Sequence, residues 1–79
     1  MKKTAYETQI EIVIKEAGNT PGFTAELTRQ YNALTGEDTA RTQVDRWLHR
    51  DKTKRVIPNA ITAEHLMQAV SKTRTRLAA

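Results

Sequence analysis

Side chains able to hydrogen-bond to the edges of nucleic-acid bases are concentrated between Thr39 and Arg50. At helical spacing, the residues that point away from the apolar side of this segment are Arg41, Thr42, Asp45, Arg46 and His49, with Gln43 at the edge. Arginine can bridge guanine O6 and N7, glutamine can pair with the edge of adenine, and a carboxylate can accept from cytosine N4. Asp45 has a second possible use, which is to orient Arg46. This combination predicts contact with bases in the major groove of double-stranded DNA.

The elements that must position these side chains begin with an apolar stripe in the same segment. The residues at positions i, i+4, i+7 and i+8 are Ala40, Val44, Trp47 and Leu48, which predicts a helix over 40–50 whose back docks on a core. Thr39 precedes it as the expected N-cap, since its hydroxyl can accept from a first-turn N–H. We interpret Trp47 as a core anchor, with a dimer contact as the alternative.

Further cations follow the helix and suit the phosphate backbone. Arg50, Lys52, Lys54 and Arg55 are expected to contact phosphates, which position a protein on DNA without specifying sequence. Three more cations lie beyond Ser71, at Lys72, Arg74 and Arg76. They are consistent with an arm along the duplex or a solubilising tail. We therefore divide the chain into a helical domain over 1–71 and a basic tail over 72–79.

The charge of the chain is divided unevenly along its length. Residues 1–39 hold four Lys or Arg against six Asp or Glu, a net −2, whereas residues 40–79 hold nine against three, a net +6. Neutralisation of phosphates by cations releases counterions and favours association, so nucleic acid is the expected partner. A membrane surface is disfavoured because the basic segments lack a broad apolar face.

Length and composition limit the other possibilities. A chain of 79 residues forms one small core, and the absence of cysteine removes disulfides and thiolate metal sites. Without an export segment or an apolar run of membrane length, a cytoplasmic location is expected. We find no Ser-His-Asp set and no Gly-rich phosphate loop, and His49 and His65 are poorly supplied with nearby ligands. The sequence therefore predicts no enzyme, no cofactor, no metal and no small-molecule substrate.

The remaining periodicity is helical, and no segment alternates as a strand would. Helices are expected over about 4–17, from Pro21 or Thr24 to Leu34, and after a cap at Asn59 or Thr62. The residues expected in their core faces are Tyr6, Ile10, Val13, Ile14, Ala17, Phe23, Leu27, Tyr31, Leu34, Ala63, Leu66, Met67, Ala69 and Val70. Gly36 is expected to end a helix in the left-handed conformation, and Val56-Ile57-Pro58 to return to the core. The prediction is an all-α domain of four to five helices.

Two short segments carry a resemblance to a known family. The run from Gln43 to Leu48, and Arg55-Val-Ile-Pro58 after it, resemble small phage regulators of the lambda repressor-like class, of the Cro and CII types. The resemblance covers residues 24–70, but its specific part is short. It implies a helix-turn-helix with residues 24–34 as the first helix and 39–50 as the recognition helix, and a homodimer or higher assembly that regulates transcription. Because Gly36 lies farther before Val44 than is usual, this helix-turn-helix is expected to be irregular.

Three other interpretations remain open. A second register would place the turn at Gly18 and the recognition helix over residues 20–31, although Glu26 and the acidic N-terminal half count against it. The chain is alternatively a helical protein-interaction module, of anti-repressor or antitoxin type, whose basic surface meets an acidic partner. RNA binding is disfavoured because few aromatic residues are available to stack on bases.

Overall fold

The computed structural model describes residues 5–78, which form four helices. They are α1 (Ala5–Asn19), α2 (Phe23–Thr35), α3 (Arg41–Trp47) and α4 (Ala60–Ala78). No strand occurs in this part of the chain, so the all-α prediction is confirmed. Thr4, the expected first residue of α1, lies outside the described residues.

All four helices contribute to one core, in which α2 packs mainly along α4. The buried apolar residues are Ile10, Val13, Phe23, Leu27, Tyr31, Val44, Trp47, Leu48, Leu66, Ala69 and Val70. Tyr6, Ile14, Ala17 and Met67 pack partly buried against them, and Leu34 and Ala63 are also half-buried. The spacings of three and four therefore identified the inward face of α1, α2 and α4 correctly.

Two glycines with positive φ flank α2, and an asparagine cap precedes α4. Gly36 has φ 75°, and its N–H donates to the carbonyl of Asn32 at 2.8 Å, which ends α2 as expected. α2 starts at Phe23, after Gly22 with φ 81°. α4 starts after Asn59, whose Oδ1 accepts from the N–H of Thr62 at 2.8 Å. Asn59, and not Thr62, is thus the cap of α4.

The helix expected over 40–50 is shorter than predicted. It ends at Trp47, so His49 and Arg50 lie outside it, and its N-cap is Ala40 without any side-chain hydrogen bond. The prediction of Thr39 as N-cap is wrong because the Thr39 hydroxyl instead donates to Glu37 Oε2 at 3.3 Å. Ala40, placed in the apolar stripe, is exposed.

Two other expectations are corrected by the structure. Val56 and Ile57 do not return to the core, since their exposed fractions are 41% and 68%; the N–H of Val56 is instead held by the carbonyl of Arg46 at 3.1 Å. The expected boundary at residue 72 is absent, because α4 continues through Ala78 and Thr73 is fully buried. Ala79 lies outside the described residues.

The hydroxyl of Tyr6 gives a pH-dependent prediction. It is buried without a hydrogen-bond partner among residues 5–78, and burial raises the pKa of Tyr6 to about 12, with the charge of Arg55 opposing. An unfolded tyrosine titrates near pH 10. The contribution of the neutral phenol to stability is therefore complete below about pH 10 and is lost as the pH rises from about 10 through about 12.

We expect Tyr6→Phe to reduce the alkaline loss of stability to the part contributed by Tyr31, whose pKa is also raised by burial. The variant should maintain or raise the melting temperature at neutral pH, because it deletes an unpartnered buried hydroxyl. Thermal unfolding of both proteins, at neutral pH and above pH 10, measures the effect. An equally steep alkaline loss in the variant would show that another group is responsible.

Candidate nucleic-acid interface

Four of the predicted residues lie together on the solvent side of α3. Arg41, Thr42, Asp45 and Arg46 are all exposed, and at 100° per residue they occupy an arc of about 140° opposite Val44 and Trp47. We call this set the α3 face. Gln43 is half-buried at its edge, as the sequence indicated.

The side chains of the two arginines on the α3 face take no part in the ion pairs of the fold. Within residues 5–78, no acidic side chain forms an ion pair with Arg41 or Arg46. Asp45 is also exposed between them in the sequence. Because neither guanidinium is held by a carboxylate, both can meet an external acceptor without breaking an internal ion pair.

The back of α3 is fixed by close packing. Val44 is fully buried and Trp47 is 6% exposed. The rings of Trp47 and Tyr31 meet edge to face, with centroids 5.4 Å apart and an interplanar angle of 62°, an arrangement favoured between aromatic side chains. These contacts join α3 to α2, so the α3 face is presented by a helix that the core holds in place.

The start of α3 is held by a residue that the sequence analysis did not single out. Asn32, near the end of α2, donates from Nδ2 to the Thr39 carbonyl at 3.0 Å and accepts at Oδ1 from the Thr39 N–H at 2.8 Å. The Asn32 amide thus fixes the segment 36–40, which connects α2 and α3, against the end of α2. A polar residue in the last turn of an amphipathic helix was the only sequence signal for this role.

Replacement of Asn32 by alanine is expected to lower the free energy of unfolding by roughly 1 kcal/mol, because both hydrogen bonds to Thr39 are lost and water replaces them only in part. Urea denaturation measures this cost. Asn32→Asp retains an acceptor for the Thr39 N–H but no donor for the Thr39 carbonyl. Its free energy of unfolding should therefore lie between those of the wild type and Asn32→Ala. Wild-type stability in Asn32→Ala would mean that packing alone positions α3.

The residues after α3 form a loop with its own hydrogen bonds. His49, half-buried, accepts at Nδ1 from the N–H of Asp51 at 3.0 Å, and Asp51 Oδ1 accepts from the hydroxyl and the N–H of Thr53 at 2.7 and 2.9 Å. These bonds from Thr53 lower the pKa of Asp51. His49 therefore serves the shape of this loop and lies beyond the helix that carries the α3 face.

Three of the four cations predicted to contact phosphates are directed toward α1. Lys52 Nζ lies 3.1 Å from Glu11 Oε1, and Arg55 Nε donates to the His49 carbonyl at 2.7 Å. The guanidinium of Arg50 lies over Gly18, where an added Cβ would be 2.7 Å from Nη2. Lys54 is exposed. The ten predicted residues thus separate into five on α3, which are the α3 face and Gln43 at its edge, and five in the loop after it. Of those five, Arg50, Lys52 and Arg55 line a cleft beside α1.

The basic C-terminal segment is part of the helical body. Arg74 forms an ion pair with Glu16 of α1, while Lys72 and Arg76 are exposed on α4. Arg74 is therefore the least available of the three cations that the sequence suggested for an arm along DNA.

Other kinds of site receive no support from the described part of the chain. Residues 5–78 contain no group of three or more His, Asp or Glu side chains that could hold a metal ion. None of the four helices is both long and apolar enough to cross a membrane. No protein-family model, curated protein or solved structure matches the chain.

Proposed function

We propose that this protein is a sequence-specific regulator of transcription, of phage or prophage type, that binds double-stranded DNA by placing the α3 face in the major groove. The observation that carries the proposal is the pair of exposed arginines on α3, neither of which is neutralised by an acidic side chain within residues 5–78. Because Val44 and Trp47 anchor α3 in the core, the backbone of the helix is held in place. The two guanidinium groups on its solvent side can still reorient toward an acceptor.

The dimensions of α3 suit this role. An α-helix with its side chains is about 10 to 12 Å in diameter, and the major groove of B-DNA is about 12 Å wide. Arg41 and Arg46 would bridge guanine O6 and N7, Thr42 would contact either kind of base, and Asp45 would accept from cytosine N4 or orient Arg46. Gln43 would reach a base or a phosphate from the edge.

Phosphate contacts would come from the loop after α3. Lys54 is exposed and directly available. Arg50 and Lys52 could contribute only if their side chains left α1, and for Lys52 this means breaking the ion pair with Glu11. Arg55 is held by backbone carbonyls, and we assign it to support of the loop.

Two structural consequences follow for the regulator. α2 and α3 would be the two helices of the motif, joined by residues 36–40, a longer connection than the three or four residues of most helix-turn-helix proteins. Since one helix of seven residues reads few base pairs, the protein would act in the cytoplasm as a homodimer on two half-sites about one helical turn apart.

Salt dependence tests this function against binding to an acidic protein. In a fluorescence titration of a labelled duplex, the slope of log affinity against log salt should be about −0.9 for each phosphate neutralised. The Arg41→Ala, Arg46→Ala double variant should bind more weakly. Arg29→Ala is the matched control, because it removes an exposed arginine that pairs with Glu26 on α2. Absence of binding to duplex at low salt would contradict the proposal.

A further inference from the structure

A cleft of about 540 Å³ lies between α1 and the loop after α3. Its α1 side is a stripe at helical spacing, and its other side is the loop. The residues lining it are Thr8, Glu11, Ile12, Ile14, Lys15, Gly18, Asn19, Arg50, Lys52 and Arg55. No residue of the α3 face lines it, so we treat this α1 cleft as a separate surface.

The α1 cleft combines an apolar wall with uncompensated positive charge. Ile12 is 53% exposed there. Lys52 is neutralised by Glu11, but neither Lys15 nor Arg50 forms an ion pair with an acidic side chain anywhere in residues 5–78. The cleft therefore presents one large apolar side chain and two cations to an incoming group.

Glycine at position 18 keeps the Arg50 guanidinium inside the α1 cleft. A Cβ at this position would lie 2.7 Å from Nη2 and 3.7 Å from Cζ, too close for the side chain to remain where it is. Arg50 also lies beside the C-terminal end of α1, where a cation is favoured by the helix dipole. The guanidinium thus lies beside the last turn of α1, within the cleft.

The length of the cleft distinguishes between kinds of anion. From Thr8 to Asn19 the stripe spans about 16 Å at 1.5 Å per residue. A free phosphate or a small carboxylic acid would leave Ile12 uncovered. A DNA duplex offers phosphates but no apolar side chain that could cover Ile12. An amphipathic peptide segment supplies both.

We propose that the α1 cleft binds an acidic segment of a partner protein, in which a large apolar side chain covers Ile12 and flanking carboxylates meet Lys15 and Arg50. Charge complementarity and apolar burial together define this occupant. Binding here is independent of the function proposed for the α3 face, and it would leave that face open.

A designed peptide can stand in for the acidic partner segment in a binding test. The probe is a fluorescein-labelled peptide of Glu, Asp and Leu, about 12 residues or three helical turns long, with leucines at helical spacing. Fluorescence polarisation at about 150 mM salt measures its affinity. Two comparison peptides replace either the acidic residues with glutamine or the leucines with alanine. We expect the probe to bind more tightly than both.

Variants of the cleft locate the binding. Arg50→Gln and Ile12→Gln should each lower the affinity for the probe by about tenfold. Arg46→Gln on α3 should leave that affinity unchanged. Gly18→Ala retains every charge and favours the helix, yet it should weaken binding because its Cβ displaces the Arg50 guanidinium. Thermal unfolding confirms that each variant is folded, and a loss of affinity in a stabilised Gly18→Ala variant excludes a folding defect.

Four results of the probe experiments would overturn the proposal. They are no binding of the probe, binding unaffected by all three cleft variants, equal affinity for the alanine peptide, and displacement of the probe by a DNA duplex whose own affinity falls in Arg50→Gln. A concentration-dependent dimer that is lost in Ile12→Gln would also contradict it, since a second copy of the chain would then occupy the cleft. None of these results bears on the affinity of Arg46→Gln for DNA, so the two proposals can fail separately.

Discussion

Replacement of Trp47 by alanine is expected to lower the free energy of unfolding by about 3 to 5 kcal/mol. Trp47 is 6% exposed and its ring meets Tyr31 edge to face. The truncation removes the largest side chain that joins α3 to the core and leaves a cavity beside α2. Since small domains are stable by only about 5 to 15 kcal/mol, this change should remove a large part of the stability.

Urea denaturation followed by circular dichroism is the suitable measurement, because Trp47 is the only tryptophan and its fluorescence disappears in the variant. Trp47→Phe is the matched control, since it retains an aromatic ring against Tyr31 and should cost less. A loss below about 1 kcal/mol in Trp47→Ala would show that α3 is not held by this contact. The support for the α3 face would then have to come from elsewhere.

Replacement of Arg46 by alanine is expected to cost about 1 to 3 kcal/mol of binding free energy on the preferred DNA sequence and little on random DNA. The reason is that a guanidinium bridging guanine O6 and N7 discriminates between bases, whereas a phosphate contact does not. Fluorescence titration with both duplexes at one salt concentration measures the difference.

Lys54→Ala provides the comparison for Arg46. Lys54 is exposed in the loop and lies outside the helix that would read bases. Its loss should therefore weaken binding to both duplexes equally. It should also reduce the slope of log affinity against log salt by about one, the change expected for one lost phosphate contact. Equal losses on both duplexes in Arg46→Ala would instead make Arg46 a phosphate contact. Base recognition would then have to be assigned to Arg41 and Thr42.

The sequence was sufficient where local periodicity and packing agree. The spacing of Phe23, Leu27 and Tyr31 placed the inner face of α2 correctly, and Val44 with Trp47 placed the back of α3. The exposed positions Arg41 and Arg46 follow directly from that orientation. Because an α-helix repeats every 3.6 residues, a correct prediction of the buried stripe also predicts which residues lie on the exposed face.

The sequence was insufficient where contacts distant along the chain decide the outcome. Apolar spacing continues through Leu48, but the helix ends at Trp47. In its last turn the carbonyl of Arg46 accepts from the N–H of Val56, a residue of the following loop. Thr39 had the residue type of an N-cap, yet Asn32 holds its backbone across the turn.

The basic C-terminal segment and the loop cations show the same limit. Composition favoured a tail after Ser71, but burial of Thr73 and the ion pair of Arg74 with Glu16 extend α4 to Ala78. Charge alone grouped Arg50 and Lys52 with the expected phosphate contacts, whereas the packing of the loop against α1 turns both toward the cleft. Which way a surface cation points depends on tertiary contacts that residue type does not encode.

Selection from a random pool of double-stranded DNA at about 150 mM salt, with the Arg41→Ala, Arg46→Ala double variant run in parallel, tests the central claim most directly. We expect enrichment of a two-fold-related motif by the wild-type protein and its loss in the double variant. No enrichment by a well-folded wild-type protein would contradict sequence-specific DNA binding. Enrichment that persists in the double variant would show that α3 does not read the bases.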